Sequence, residues 1–518
     1  MSRRLSRGLA LGVLLLGVIL AVVQACGPET PAVTLRGDRF DPVRSLIAET
    51  IREHGLASVA IAAAQDGKIV WEEAFGWADR ENQVPATPSS IYALASITKS
   101  FTATGLMVLV ERGLVDLDGP VNDYLGEAKL VSHVGDPAEA TVRRVLLHTA
   151  GLPSHHNIFF EGELLRPPDQ DESIGRYGMI VDQPGREFVY SNFGYGVLDR
   201  VISNVSGMSY AEFMEAEVFE PLGLTHTSVF LEPALRGDAV RHYDARGNVI
   251  AALDFDHVGA SAIHSSVHDL IRYGMFHLGN ELPGQGRILS GQTIEMMHEP
   301  SDVTMPQEIL EVRLGLGWAI IDLEGVRMVN VTGGMPGTVT RLALIPAENA
   351  AVAIMINSGI GDSYAPWEIE WATFAAMISD LPKGPEIAPE KEPTPPLPAK
   401  LRREWRGSVS THLGDLPARL SIGKGRDMEL EIDGRKTVPV RVRSPLGDAR
   451  FEEGVFEAPF FGTIETDDAL RSRHVLFLRL RKRDDVLSGI VAAVAMNQTF
   501  WLPYWMELKR VPDATDSR

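Results

Sequence analysis

Between about residue 40 and residue 381 the chain carries strand patterns at both ends and helix patterns between them. Ala57 to Ala64 is an apolar run, Asp66-Gly67 follows, and Lys68-Ile69-Val70-Trp71 resumes it, which predicts a hairpin with a DG turn. Strand patterns return at Gly317–Ile321, Val326–Val331, Thr338–Ile345 and Ala351–Ile356, joined by short turns. The middle, roughly 96 to 300, is mostly helical: Gly194 to Asn204 ends near Gly207, and Tyr210 to Phe219 runs into Pro221-Leu222-Gly223. A further helix is expected from about Pro366 to Ile378. Strands at both ends of one region imply a single antiparallel sheet built from both termini. The class is therefore α+β, with flanking helices, a helical subdomain and a cleft where the two meet.

A second region is separated from the first by seven prolines between Pro382 and Ala399, mixed with Glu and Lys. That composition gives a stiff, solvated linker at 382–399, across which few contacts are expected. A chain ending near Leu381 is accordingly expected to fold and act alone. Residues 400–511 alternate like short strands, as in Met428–Ile432 before Asp433-Gly434, Val475–Leu480 and Phe500–Leu508, and predict an all-β barrel or sandwich. No catalytic constellation is legible in that part.

The N-terminus reads as a targeting segment. Arg3, Arg4 and Arg7 precede an unbroken apolar run from Leu9 to Val23, short for a membrane span and suited to a signal peptide over residues 1–25. Small residues then lead to Cys26, and residues 26–40 read as a tether. The stretch resembles a bacterial lipoprotein cleavage site, which implies lipidation of Cys26, an exported protein and a membrane-anchored place in the cell envelope. A plain signal peptide, or an uncleaved anchor that contains a cysteine, is the alternative. Cys26 is the chain's single cysteine, which excludes an internal disulfide. A formal charge of −20 argues against nucleic acid as a partner.

Three short stretches carry chemistry. Ser96-Ile97-Thr98-Lys99 opens an apolar run that Gly113 closes, predicting a helix from about Ser96 to Arg112. Spacing i, i+3 puts the Ser96 hydroxyl and the Lys99 amine on one face. A serine is a poor nucleophile until a base removes its proton, and a buried lysine with a lowered pKa does that. Ser421-Ile422-Gly423-Lys424 repeats the spacing in a glycine-broken turn and reads as coincidence. Tyr190-Ser191-Asn192, after Pro184-Gly185, supplies a phenol that can share a proton and an amide that can hold the lysine or a carbonyl. Thr332-Gly333-Gly334 ends one strand before another, and its backbone N–H can join that of Ser96 in holding an oxyanion. Each stretch alone also has a structural reading: a capping serine, a loop tyrosine, a glycine turn. His148 lies in a structural loop rather than a triad, and His155-His156, with no carboxylate at ligand spacing, reads as surface.

In this order, Ser-x-x-Lys, Tyr-x-Asn and strand-Thr-Gly-Gly, together with Leu146-Leu147-His148-Thr149-Ala150-Gly151-Leu152-Pro153 and Gly315-Leu316-Gly317-Trp318, the chain resembles the serine β-lactamase and penicillin-recognising superfamily. It is most similar to the class C-like branch, which holds D-Ala-D-Ala carboxypeptidases and esterases. The resemblance covers about Phe40 to Leu381, and residues 400–511 resemble the lipocalin-like domain appended to such hydrolases. It implies the β-lactamase/transpeptidase-like fold, Ser96 as nucleophile, Lys99 as base, Tyr190 as acid/base partner, and Asn192, Thr332, Gly333 and Gly334 as substrate-binding residues. It implies an ester or amide carbonyl in a small molecule or peptide as substrate, and no metal or organic cofactor. One position departs from the pattern: Val331 stands where the family carries Lys or His, so the cation that binds a lactam or peptide carboxylate is missing. Serine acyl chemistry on esters or amides is the first expectation. A non-catalytic or slowly acylating envelope protein is the alternative that Val331 favours.

Overall fold

The computed structural model describes residues 34–305, 310–361, 363–384, 397–424, 427–440 and 446–512. Cys26, the N-terminal apolar run and most of the proline-rich stretch lie outside the described residues. Among the described residues no helix is long and apolar enough to cross a membrane.

One antiparallel sheet is built from both ends of the first region. Its principal strands are β1 (Ser58–Gln65), β2 (Lys68–Asp79), β4 (Val312–Leu314), β5 (Ala319–Leu323), β6 (Val326–Met335), β7 (Thr338–Ile345) and β8 (Ala350–Ile356). They run in the order β4-β5-β6-β7-β8-β1-β2, with short strands at each edge. Asp66 and Gly67 both take positive φ, 51° and 71°, the geometry a two-residue hairpin needs to match strand twist.

Every residue of β1 except the last is buried, because both faces of the sheet are covered. Val59, Ile61 and Ala63 pack with α1 (Asp41–His54) and the last helix of the region, α5 (Ala365–Met377). Ala60, Ala62 and Ala64 face the helical subdomain, whose helices include α2 (Thr98–Glu111), α3 (Asn192–Ser206) and α4 (Val267–His277). From Thr98 to Leu109, α2 is buried all round and is the subdomain's axis.

The second region is one curled sheet. Strands β9 (Glu404–Thr411), β10 (Gly414–Ile422), β11 (Met428–Ile432), β12 (Arg435–Thr437), β13 (Val455–Phe461), β14 (His474–Arg483), β15 (Val486–Ala495) and β16 (Phe500–Arg510) form the ladder β12-β11-β10-β9-β16-β15-β14-β13. Its ends meet through a bridge between Pro439 and Phe460. This makes it barrel-like rather than a two-sheet sandwich. Leu476, Leu478, Leu480, Val491, Leu502 and Trp405 fill the inside.

The barrel does not hang free, contrary to what the linker composition predicts. The start of β16 pairs with β3 (His156–Phe160), a strand from the middle of the first region. The buried Asp468 carboxylate accepts from Tyr177 Oη and from Arg176 Nη1 at 2.7 Å. Arg479 pairs with Glu187 at 2.6 Å, and Arg481 with Asp182 at 3.1 Å. His133 stacks on Trp505 with ring centroids 4.4 Å apart.

Candidate active site

Ser96 sits in a 3-10 turn, Ala95–Ile97, one step before α2 rather than as its first residue. Ala95 takes φ 49°, a left-handed conformation that costs a non-glycine residue about 1 kcal/mol. Strain of this kind, held by surrounding packing, accumulates at functional turns. The packing is visible. A Cβ on Gly333 of β6 would lie 2.2 Å from Leu94 O, 2.3 Å from Thr340 Oγ1 and 3.2 Å from Ala95 Cβ. Glycine there lets the strand press against the turn that carries the nucleophile.

The three sequence stretches converge. Lys99 Nζ lies 3.1 Å from Ser96 Oγ, 2.6 Å from Asn192 Oδ1 and 3.1 Å from Ala260 O. Tyr190 Oη donates to Ser96 Oγ at 2.8 Å. The lysine also lies over the rings of Tyr190 and Tyr195, 4.8 and 5.7 Å from their centroids.

Burial pushes the Lys99 amine well below the ordinary lysine value. A neutral amine has two hydrogens and one lone pair. It donates to Asn192 Oδ1 and Ala260 O, and the lone pair is left for the Ser96 hydroxyl. Burial pushes Tyr190 up to about 12, against a downward pull from its bond to Ser96. The cleft leaves 37% of Tyr190 exposed, and the upward direction suffices: it is a neutral donor at neutral pH. The phenol that the sequence offers as a proton-sharing partner is thus present in its neutral form.

His148 is no general base. Its Nδ1 accepts from the Ser191 N–H at 3.2 Å, its ring packs on Tyr190, and burial with the nearby Lys99 holds its pKa at about 3. It positions the Tyr190-Ser191-Asn192 loop, where Ser191 caps α3 through the Gly194 N–H. His155 is a correction: it is 2% exposed, not on the surface. It meets a carboxylate that sequence spacing could not reveal, Asp256, at 3.0 Å, and His257 meets the same group at 2.6 Å. Ligand atoms of the three lie within 4.8 Å of one another, the one such group among the described residues. Both imidazoles already satisfy the carboxylate.

Of the glycine-strand residues, Thr332 and Gly334 line the cleft while Gly333 is buried against the turn and lines none of it. Val331 also lines the cleft. Sequence reading missed a cation close by: Arg341 of β7, paired in register with Thr332, reaches the same cleft. It is held in a two-pronged bond to buried Glu370 at 2.8 and 2.9 Å and lies over Trp367, so its charge is already answered.

Two cavities meet at Ser96. One, of about 700 Å³, runs between the helical subdomain and β4–β7 and includes Lys99, Tyr190, Trp318 and Arg341. The other, of about 650 Å³, lies between the subdomain and the outer wall of the barrel and includes Asn192 and Trp501. Ser96 and Gly334 border both.

Comparison with known proteins agrees with this geometry. The chain is 27% identical over 319 residues to penicillin-binding protein 4* of Bacillus subtilis, a match covering 57% of this chain and 66% of that one. It is 28% identical over 390 residues to penicillin-binding protein 4 of Amycolatopsis lactamdurans, covering 71% and 97%. Among solved structures, the octameric penicillin-binding protein homologue from Pyrococcus abyssi superimposes with TM-score 0.57 at 24% identity, over 90% of this chain and 99% of that one. A class C β-lactamase does so at 0.57 and 18%, over 66% and 97%. Both share the fold. Residues 43–371, more than half of the chain, match the family model described as beta-lactamase, and the protein belongs to that family.

Proposed function

We propose that this chain is an exported serine hydrolase that acts on an ester or amide through an acyl-enzyme. The observation that carries the reading is the Ser96 hydroxyl held between Lys99 Nζ at 3.1 Å and Tyr190 Oη at 2.8 Å. Ser96 Oγ attacks the carbonyl carbon and its proton passes to the neutral Lys99 amine. The N–H groups of Ser96 and Gly334 hold the oxyanion. As the tetrahedral centre collapses, Tyr190 gives its proton to the leaving oxygen or nitrogen, and the new ammonium stabilises the phenolate. Water then attacks the acyl carbon and gives its proton to Tyr190. Lys99 returns its proton to Ser96. Asn192 fixes the amine. The 41–381 stretch holds every one of these groups, 400–511 is an accessory unit, and Cys26 anchors the exported chain by a lipid.

Labelling with a fluorophosphonate and a fluorescent penicillin, followed by mapping of the modified residue, tests this. The expected adduct is on Ser96 and absent from Ser96→Ala. Undiminished hydrolysis by that variant removes Ser96 from the mechanism. A second reading, slow acylation without turnover, is favoured by Val331 and by the engagement of Arg341 with Glu370, which among the described residues leave the cleft without a spare cation for a substrate carboxylate. Rapid penicillin labelling with no release of the acyl group selects it.

A further inference from the structure

Resting on the acyl-enzyme reading above, we propose that the barrel-walled cavity receives the acyl chain of the substrate, and that this chain is an extended apolar one. The argument begins on the barrel's outer surface. Phe461, Val475, Val494 and Trp501 are register partners on four adjacent strands, β13 to β16, and so form one row. The row continues to His156 of β3, the partner of Trp501. All five line the second cavity.

An outward-facing row on a solvated barrel is normally polar. Here it is apolar, yet none of the four barrel residues is fully buried, and Phe461 is 48% exposed. A row that served only to glue barrel to subdomain would be closed by packing, as the neighbouring Ala492 and Trp505 are. Among the described residues this one faces open space that ends at the nucleophile. Ile158 of β3 and its register partner Phe255 extend this apolar lining past His156. At the serine end the lining is polar: Asn192 holds Lys99, and Ser261 follows the Ala260 carbonyl that Lys99 also contacts, while His156 and Gln498 add a polar edge where β16 meets β3. Polar groups at the reacting end and an apolar barrel wall beyond it, in some 650 Å³, suit a carboxylic ester or amide with a long hydrocarbon acyl group.

Orientation follows from the proton that the leaving group needs. Tyr190 borders the first cavity and not the second. The leaving oxygen or nitrogen must meet the Tyr190 hydroxyl, so it exits through the first cavity. With the oxyanion directed at Gly334, the remaining substituent of the tetrahedral carbon, the acyl chain, is left to enter the second.

The test is the chain-length profile of p-nitrophenyl esters, acetate to decanoate, below their micelle concentrations, with the full-length protein. Each buried methylene raises kcat/KM by about threefold to fourfold, so a steep rise to about the octanoate is expected. Val494→Trp, which fills the cavity, and Met496→Asp, which charges its rim, are each expected to lower the octanoate-to-acetate ratio by at least about tenfold. Met496 is 70% exposed, so the second variant folds whether or not the first does. A flat wild-type profile with Ser96 still labelled by fluorophosphonate overturns this inference and leaves the hydrolase reading standing. A steep profile that both variants leave unmoved also overturns it. Absence of both labelling and hydrolysis at every chain length overturns the hydrolase reading itself.

Discussion

Gly333→Ala tests the claim that strand β6 must press against the nucleophile's turn. The new methyl would meet the Leu94 carbonyl at 2.2 Å and the Thr340 hydroxyl at 2.3 Å. Neither is the loose end of a flexible side chain. The carbonyl is backbone, and it accepts the Thr340 hydroxyl at 2.7 Å. Relief requires strand and turn to part by about 1 Å, since heavy atoms rest at roughly 3.5 Å. Overpacking costs about 1–3 kcal/mol and loss of the buried hydrogen bond about 1–2 more, so the expected destabilisation is about 2–5 kcal/mol. At roughly 2–4 °C per kcal/mol, the melting temperature should fall by at least about 4 °C. The same parting moves Gly334 from Ser96, and a misplacement near 1 Å costs roughly 10²-fold in rate. Thermal unfolding and the rate of fluorophosphonate labelling read the two effects. Gly334→Ala is the stability control, because a Cβ there has nothing within 4 Å and should leave the melting temperature unchanged. Wild-type melting and labelling for Gly333→Ala would refute the reasoning.

Acylation should need the neutral Lys99 amine, so Ser96 labelling should rise with pH to a plateau whose midpoint lies well below the ordinary lysine value of 10.5; a pH-independent rate contradicts it. His148 ionises near pH 3 in the folded chain and near 6.5 unfolded, so unfolding takes up a proton between those values and stability falls as pH drops through that window; the slope measured by urea unfolding should be shallower in His148→Gln. Val331→Lys should raise kcat/KM for nitrocefin relative to p-nitrophenyl acetate by about tenfold or more, because a charged hydrogen bond to a carboxylate contributes about 1.5–3 kcal/mol; an unchanged ratio shows that the cation's absence does not limit lactam turnover. Truncation after Leu381 should give a protein that unfolds at lower temperature or aggregates, since it strips partners from Tyr177, Arg176 and β3; sedimentation and melting of the shortened chain decide this.

Local chemistry was legible where it depends on neighbours in the chain. The Asp66-Gly67 hairpin, the Gly207 stop after α3 and the Ser96–Lys99 spacing follow from dihedral preferences and helix period. The barrel's contact with the subdomain runs against the linker composition, which speaks only for residues 382–399 and not for the strands beyond them. Its signal is present: Val475 to Leu478, and Ile490 to Ala495, are apolar at every position, where a barrel wall facing solvent would alternate with polar residues. The Ala95 strain, the reach of Arg341 and the meeting of His155 with Asp256 depend on segments brought together only by folding, and no local period encodes them.

The pairing of β16 with β3 sets a constraint on timing. Arg471, just before the last strands, bonds to the Ile158 carbonyl across 313 residues of chain. Closing so long a loop adds little to the equilibrium cost, because that entropy grows only with the logarithm of length. It weighs instead on the rate, because such distant contacts reward the chain late. During synthesis, Ser96, Lys99, Tyr190 and Asn192 are all present long before β16 emerges. The nucleophile therefore stands in a half-walled groove until β16 emerges to wall the cavity beside it.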